Sequence, residues 1–246
     1  MSRQTILAAG SMLRLLPKLL DAHFSPNRPE FDCQFGPSGS LRAKIETGHS
    51  CQLFISATDT HTQALVDNSI LDSANILGLN PTVLLHRASL DIPERSVLEW
   101  VLNEDLMLGM STTGLDPAED ELIVLNQIAN ATDTDPKRLK SRTRIITGGR
   151  ETPNAPLGRN QYGWIMETQN VDLMLTFQSN AIEAMEDNPH LRMCHLPKNA
   201  RVTGHYGIAI SHSASAELVR FYNWLRSEEG SAYLTMYGFE LATNTH

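Results

Sequence analysis

The chain has 246 residues, with 20 Lys and Arg against 28 Asp and Glu, a formal charge of −8 with His neutral. At 41% hydrophobic and 20% charged residues it is too apolar, and too moderately charged, for a disordered polymer. No stretch reaches the ~20 continuous apolar residues of a membrane helix, and the acidic balance argues against a nucleic-acid partner, whose phosphates call for a basic face.

Residues 4–9 read as a strand, Gln4-Thr5-Ile6-Leu7-Ala8-Ala9, ending in the Gly10-Ser11 turn. That apolar run is too short for a signal-peptide core, so the chain is either cytosolic or an exported protein written without its leader. Leu13, Leu16, Leu19, Leu20 and Phe24 recur at helical spacing over 12–23, and Pro26 and Pro29 mark a loop. Phe31 to Phe35 alternates as a second strand. Gly36-Pro37-Ser38-Gly39-Ser40 then opens a helix carrying Leu41 and Ile45, which Gly48 ends. Leu53-Phe54-Ile55-Ser56 is a third strand. Three strand–turn–helix units in the first 80 residues predict a parallel sheet.

Further on, Thr82 to Leu85 and Met107 to Met110 read as strands, and Val97 to Leu102 and 118–130 as helices. Residues 131–161, rich in Thr, Pro, Gly and Arg, read as a long loop with one short element inside. Tyr162 to Thr168 reads as helix, Val171 to Phe177 as strand, Ser179 to Met185 as helix, Met193 to Leu196 and Gly207 to Ile210 as strands. Ala214 to Ser227 is an amphipathic helix with Leu218, Phe221, Tyr222 and Leu225 on one side, and another helix covers 228–237.

Chemistry is sparse along this framework. Cys33, Cys51 and Cys194 form no CxxC pair, and read as buried, inert thiols. There is no GxSxG, HExxH, GxxxxGK[ST] or GxGxxG pattern. His195, His205 and His212 are too irregularly spaced for a metal site and read as surface or cap residues, and Asp59 reads as a helix cap. The polar turns that remain are Ser11 and Ser38, each where a strand becomes a helix. Ligands of open α/β sheets collect at the carboxyl ends of strands, where helix N-termini offer free N–H groups to an anion. Ordinary N-capping explains either serine equally well. Asp116-Pro117-Ala118-Glu119-Asp120 fits a Pro-started helix with acidic first-turn residues. Arg159, beside Asn160 and ahead of a helix, reads either as an oxyanion clamp or as a solvated loop residue.

Several segments together resemble the substrate-binding protein of molybdate-type ABC importers, a type II periplasmic binding protein. They are Ile6 to Met12, Phe35 to Leu41, Gly48 through Leu53 to Ala57, Asp116-Pro117-Ala118, Val171 to Ala181, Tyr206 to Ile210, and Ser227 to Gly230 leading to Tyr237-Gly238-Phe239. The ordered set spans almost the whole chain. The resemblance implies an α/β fold of two lobes, each a mostly parallel sheet flanked by helices, residues 1–82 with 204–246 forming the first and 83–203 the second, with the ligand in a cleft between them. It implies a monomeric, non-enzymatic solute-binding protein of the periplasm or cell surface, with no cofactor, that passes a small oxyanion such as molybdate or tungstate to an ABC permease. Ser11 and Ser38 match the serine ligands of the first lobe and Ala118 a backbone donor of the second; Arg159 or Asn160 falls near another. Phe177 stands where the family usually has a ligand-binding Tyr, Glu119 replaces a small Gly, and Gln52 an Asp. Arg159, Asn160 or Tyr162 then supplies the lost donor, or the ligand differs. The alternatives are a different small anion or organic acid held by Arg159 and its neighbours, and a cytoplasmic sensor that kept the fold and lost the transporter.

Overall fold

A computed structural model describes residues 4–111, 117–147 and 152–241. Residues 112–116 and the Gly148-Gly149-Arg150 segment lie outside the described residues.

The first stretch runs β1 (Gln4–Ala9), a 3-10 turn (Gly10–Met12), α1 (Leu15–Phe24), β2 (Phe31–Gly36), α2 (Ser38–Glu46), β3 (Leu53–Ser56), α3 (Asp59–Asp67) and the long β4 (Ser73–Arg87). The middle stretch runs α4 (Val97–Leu102), β5 (Leu108–Ser111), α5 (Pro117–Thr132), α6 (Pro136–Arg142), β6 (Arg144–Thr147), α7 (Gln161–Thr168), β7 (Leu173–Phe177), α8 (Gln178–Asp187) and β8 (Leu191–His195). The chain ends with β9 (Thr203–Ile210), α9 (Ala216–Leu225) and α10 (Glu228–Met236). It divides into two compact units, one holding residues up to Asn80 together with those from Gly204 onward, the other Pro81–Thr203. The chain passes between them inside β4 and at the start of β9. Both units are α/β, as the resemblance implies.

In the first unit β1 is central, parallel to β2 on one side and to β3 on the other, and β9 runs antiparallel to β3. The period of two sorts the side chains onto two faces. Ile6, Ala8, Leu53, Ile55, Tyr206, Ile208 and Ile210 pack on one face with α1, α9 and α10. Leu7, Phe54 and Ala209 pack on the other with Leu41 and Ile45 of α2 and Leu65 of α3. Each such side chain taken fully out of water contributes about 1.5–3 kcal/mol, so burial on both faces holds the sheet. Helix α1 begins later than the periodicity predicts, because the 3-10 turn comes first and leaves Leu13 exposed. The cap of α3 is Thr58, whose side chain accepts from the Thr60 N–H; Asp59 is the first helical residue, so the sequence assignment of the cap is off by one.

The second unit has a mixed sheet in the order β8–β4–β7–β5–β6, with β7, β5 and β6 parallel and β4 antiparallel to both of its neighbours. Leu84, Leu108, Leu173 and Leu175 pack on one face with Val101 of α4, Ile128 of α5 and Leu139 of α6. Val83, Leu85 and Met174 pack on the other with Ile165 and Met166 of α7 and Ala181 and Ala184 of α8. Among the described residues of 131–161, both α6 and β6 lie between the end of α5 and the start of α7, where the composition suggests one short element. In α6 only Leu139 is buried, so no apolar stripe announces the helix; Asp135 caps it and Pro136 starts it. In β6 just Ile146 and Thr147 are buried, too little for an alternation signal.

Cys51 is buried and its thiol is pushed up to about 12 by desolvation. Burial also pushes the Cys194 thiol up, and its Sγ lies 3.4 Å from Nε2 of His86, a buried imidazole held below its usual pKa chiefly by desolvation. Both thiols are protonated and enclosed at neutral pH, which fits inert core residues.

Helix α3 lies so close to β9 that Gly207 has no room for a side chain. A Cβ there would sit 2.3 Å from Thr62 Oγ1 and 2.8 Å from the Asp59 Cα, the second a backbone atom that cannot swing aside. Gly207→Ala is expected to lower folding stability by about 1–3 kcal/mol through overpacking, read from a denaturant titration; an unchanged midpoint would contradict this packing.

Candidate functional site

The register of the first unit brings three turns to one sheet edge. Ala9 pairs with Gly36, and Ala8 with Ile55, so Ala9, Gly36 and Ser56 end their parallel strands side by side. Two residues beyond this row stand Ser11, Ser38 and Thr58, all hydroxyl residues. The turns crowd together: a Cβ on Gly10 would lie 3.9 Å from the Gly36 carbonyl oxygen. From the opposite direction β9 arrives with Gly207 paired to Ser56.

The three hydroxyls have different work. Thr58 is committed to its own helix as the cap of α3. Ser38 is the first residue of α2 and is 7% exposed. Its Oγ accepts from the Ala57 N–H at 3.0 Å, so its proton is the part of the group that remains to be donated. It does not cap α2: the N-cap position is Pro37, with no side-chain cap bond, and the first intrahelical bond of that turn runs from the Leu41 N–H to the Pro37 carbonyl at 3.0 Å. The N–H groups of Ser38, Gly39 and Ser40 therefore lead out of the helix with its partial positive end. Ser11 lies in the 3-10 turn, partly buried, its Oγ 2.8 Å from the Tyr206 hydroxyl. Ordinary N-capping, the rival explanation of these two serines, does not describe either. Gln52 serves the same strands structurally, its Oε1 accepting from the Thr5 N–H at 2.8 Å and its Nε2 donating to Ser50 at 3.0 Å.

The candidates of the second unit do not form one group. Ala118 lies in the first turn of α5. Asn160 is the N-cap of α7 and is 4% exposed; its Oδ1 accepts from the N–H groups of Tyr162 and Gly163 at 2.9 and 3.1 Å, and its own N–H donates to Asp187. Arg159, just ahead of α7, is exposed and donates to Glu167 of α7 at 2.8 Å and to Asn188, the C-cap of α8, at 3.1 Å. The N-terminus of α7 thus holds a carboxylate of the protein itself, and the guanidinium beside it is already paired. Phe177 ends β7 at the N-cap position of α8, where no side chain caps the helix. Nearby, Asn180 Nδ2 donates to the Tyr162 hydroxyl at 3.0 Å and lies 3.3 Å from Thr176 Oγ1, tying α7, α8 and the end of β7 together. Sequence reasoning passes over Tyr206 and Asn180; only pairing across the sheet and between helices reveals them. His205 lies 4.0 Å from Asp59 and His212 2.7 Å from Asp72, both exposed, and among the described residues no cluster of three His, Cys, Asp or Glu side chains is arranged to hold a metal ion.

Comparison with known proteins bears on this arrangement. A family described as "Bacterial extracellular solute-binding protein" matches residues 5–240. An uncharacterized protein of Pasteurella multocida is 27% identical over 242 residues, 98% of this chain and 99% of that one. The periplasmic molybdate-binding protein of Azotobacter vinelandii superposes with a TM-score of 0.70 at 17% identity, covering 98% of this chain and 100% of that one. Iron-bound HitA from Pseudomonas aeruginosa superposes with a TM-score of 0.67 at 14% identity, covering 100% of this chain and 88% of that one. A fold that serves an oxyanion in one relative and iron in another does not set the ligand; the residues at the strand ends have to.

The capping role of Asn160 has a direct consequence. Asn160→Ala is expected to lower stability by about 0.5–2 kcal/mol, the usual worth of an N-cap side chain, measured by urea unfolding. A fully neutral substitution would show that α7 does not depend on this cap.

Proposed function

The chain belongs to the bacterial extracellular solute-binding protein family, and from that premise we propose that it captures a small, fully deprotonated oxyanion, molybdate or tungstate first, outside the cytoplasmic membrane for delivery to an ABC permease. The observation that carries this reading is the state of Ser38. Its hydroxyl is buried at the start of a helix that no side chain caps, accepts from the Ala57 N–H, and has its proton to give. An anion with acceptor oxygens alone is the partner such a group lacks. Ser11, at the same sheet edge, adds a second hydroxyl, and neither brings a formal charge. Neutral donors and a helix end suffice for a small anion in a site shielded from water. The net charge of −8 does not oppose this, because the local field of the helix end dominates at hydrogen-bond range.

The oxyanion reading is preferred over an organic acid held by Arg159. That guanidinium is paired with Glu167 and bonded to Asn188, so a carboxylate ligand would have to displace a carboxylate already in place. Phe177 has no hydroxyl to offer where the resembled family has one. Tyr162, whose hydroxyl accepts from Asn180, brings a hydroxyl to that part of the second unit.

Isothermal titration calorimetry with molybdate, tungstate and sulfate tests the reading. Saturable binding is expected, and Ser38→Ala should weaken it by about 1–3 kcal/mol, the cost of leaving a buried hydrogen-bond group unmet. If none of the three anions binds or shifts the melting temperature at millimolar concentration, the assignment is wrong. Phe177→Tyr reintroduces the missing hydroxyl at a half-buried position; a gain of about tenfold in molybdate affinity, ~1.4 kcal/mol, is expected. A loss would mean that the surroundings of Phe177 are remodelled for another ligand.

A further inference from the structure

Ser11 and Tyr206 meet hydroxyl to hydroxyl at 2.8 Å, across 195 residues of sequence. Tyr206 has little freedom. It is 1% exposed, and its ring packs edge-on against Phe239 with centroids 5.0 Å apart and planes at 87°. Its place in β9 is set by the pairing of Gly207 with Ser56 and of Ile208 with Ile55, and Gly207 is in turn locked beneath α3. The phenol is therefore delivered by a rigid strand to a serine on a short turn, whose hydroxyl is a free rotor until something fixes it.

One proton lies in the bond between the two oxygens, and either atom can supply it. If Ser11 donates to the phenol, it faces the ligand with lone pairs and repels an anion. If Tyr206 donates, Ser11 keeps its own proton for the ligand. The phenolic O–H is the more acidic of the two and the better donor. A bound anion, which only accepts, selects the same arrangement. Ser38 shows it already, with the Ala57 N–H as the donor behind its hydroxyl.

We propose that Tyr206 is a positioning residue for anion binding: its hydroxyl donates to Ser11 Oγ and so fixes Ser11 as a donor toward the ligand. This rests on the oxyanion reading of the site. In this role Tyr206 does not itself hold the anion; the effect of its hydroxyl on binding passes through Ser11.

A double-mutant cycle separates this role from a general packing role. Molybdate Kd is measured by calorimetry for the wild type, Tyr206→Phe, Ser11→Ala, Ser38→Ala, and the two double variants that combine Tyr206→Phe with each serine change. Tyr206→Phe keeps the ring and its contact with Phe239. The expected result is a roughly 2–10-fold loss of affinity for Tyr206→Phe alone, the span of one ordinary hydrogen bond. The same loss is expected in the Ser38→Ala background, and less than twofold in the Ser11→Ala background. Equal losses in both serine backgrounds would mean that the Tyr206 hydroxyl acts by a route other than Ser11 and would overturn the proposal, as would a Kd unchanged by Tyr206→Phe when the wild type binds molybdate. A wild type that binds none of molybdate, tungstate and sulfate overturns the oxyanion reading itself, and this role with it.

Discussion

The parallel register of β1 with β2 and β3 is the constraint from which the site follows. Parallel neighbours end together, and the pairing of Ala9 with Gly36 and of Ala8 with Ile55 makes three successive turns leave the sheet at the same level. A slip of one residue in either pair would turn an inward side chain outward and separate the hydroxyls. Burial on both faces forbids that slip. Leu7 and Phe54 belong to the α2–α3 side, Ile6 and Ile55 to the α1–α9–α10 side, and all four are fully buried. The hydrophobic core thus does more than stabilise the first unit: it sets where Ser11 and Ser38 stand.

What those serines can do is decided one bond further out. A hydroxyl is donor and acceptor at once, so alone it has no preference between an anion and a cation. Ala57 donates to Ser38, and Tyr206 lies against Ser11. Groups that carry no formal charge thereby acquire a direction. The second unit treats its polar groups differently. Asn160 caps α7, Asp187 accepts from the Asn160 N–H, and Arg159 is occupied by Glu167 and Asn188. There hydrogen bonding is spent on joining α7 to α8.

The apolar runs of β1 and β3, the alternation of β2, the turns at Gly10-Ser11 and Gly36-Pro37-Ser38 and the amphipathic α9 are all legible in the sequence, since each rests on a local pattern or a turn residue. Helix α6 and strand β6 are not, because Lys137, Arg138, Lys140 and Arg142 hide a helix with a single buried residue and β6 has two. The first half of β4 escapes notice for a similar reason: Asn75, Ile76 and Gly78 interrupt any alternation, and its pairing is with distant chain, as at Leu79 and Glu240. For the site, the positions of Ser11 and Ser38 are legible but their state is not. Neither Tyr206 nor Ala57 has a sequence signal that points to a serine, because the sheet order β2–β1–β3–β9, and not a local pattern, brings each to its partner. Arg159 shows the converse, a residue whose type suggests anion binding and whose partners are Glu167 of the helix that follows it and Asn188 at the end of α8.

The central claim is that an oxyanion is held by the protons of Ser11 and Ser38. The most direct measurement is anomalous diffraction from crystals saturated with tungstate, collected at the tungsten absorption edge. A single strong peak is predicted, with oxygens of its tungstate within hydrogen-bond distance of both Ser11 Oγ and Ser38 Oγ. A tungsten peak away from these two hydroxyls, or none in crystals of the saturated protein, would contradict the account.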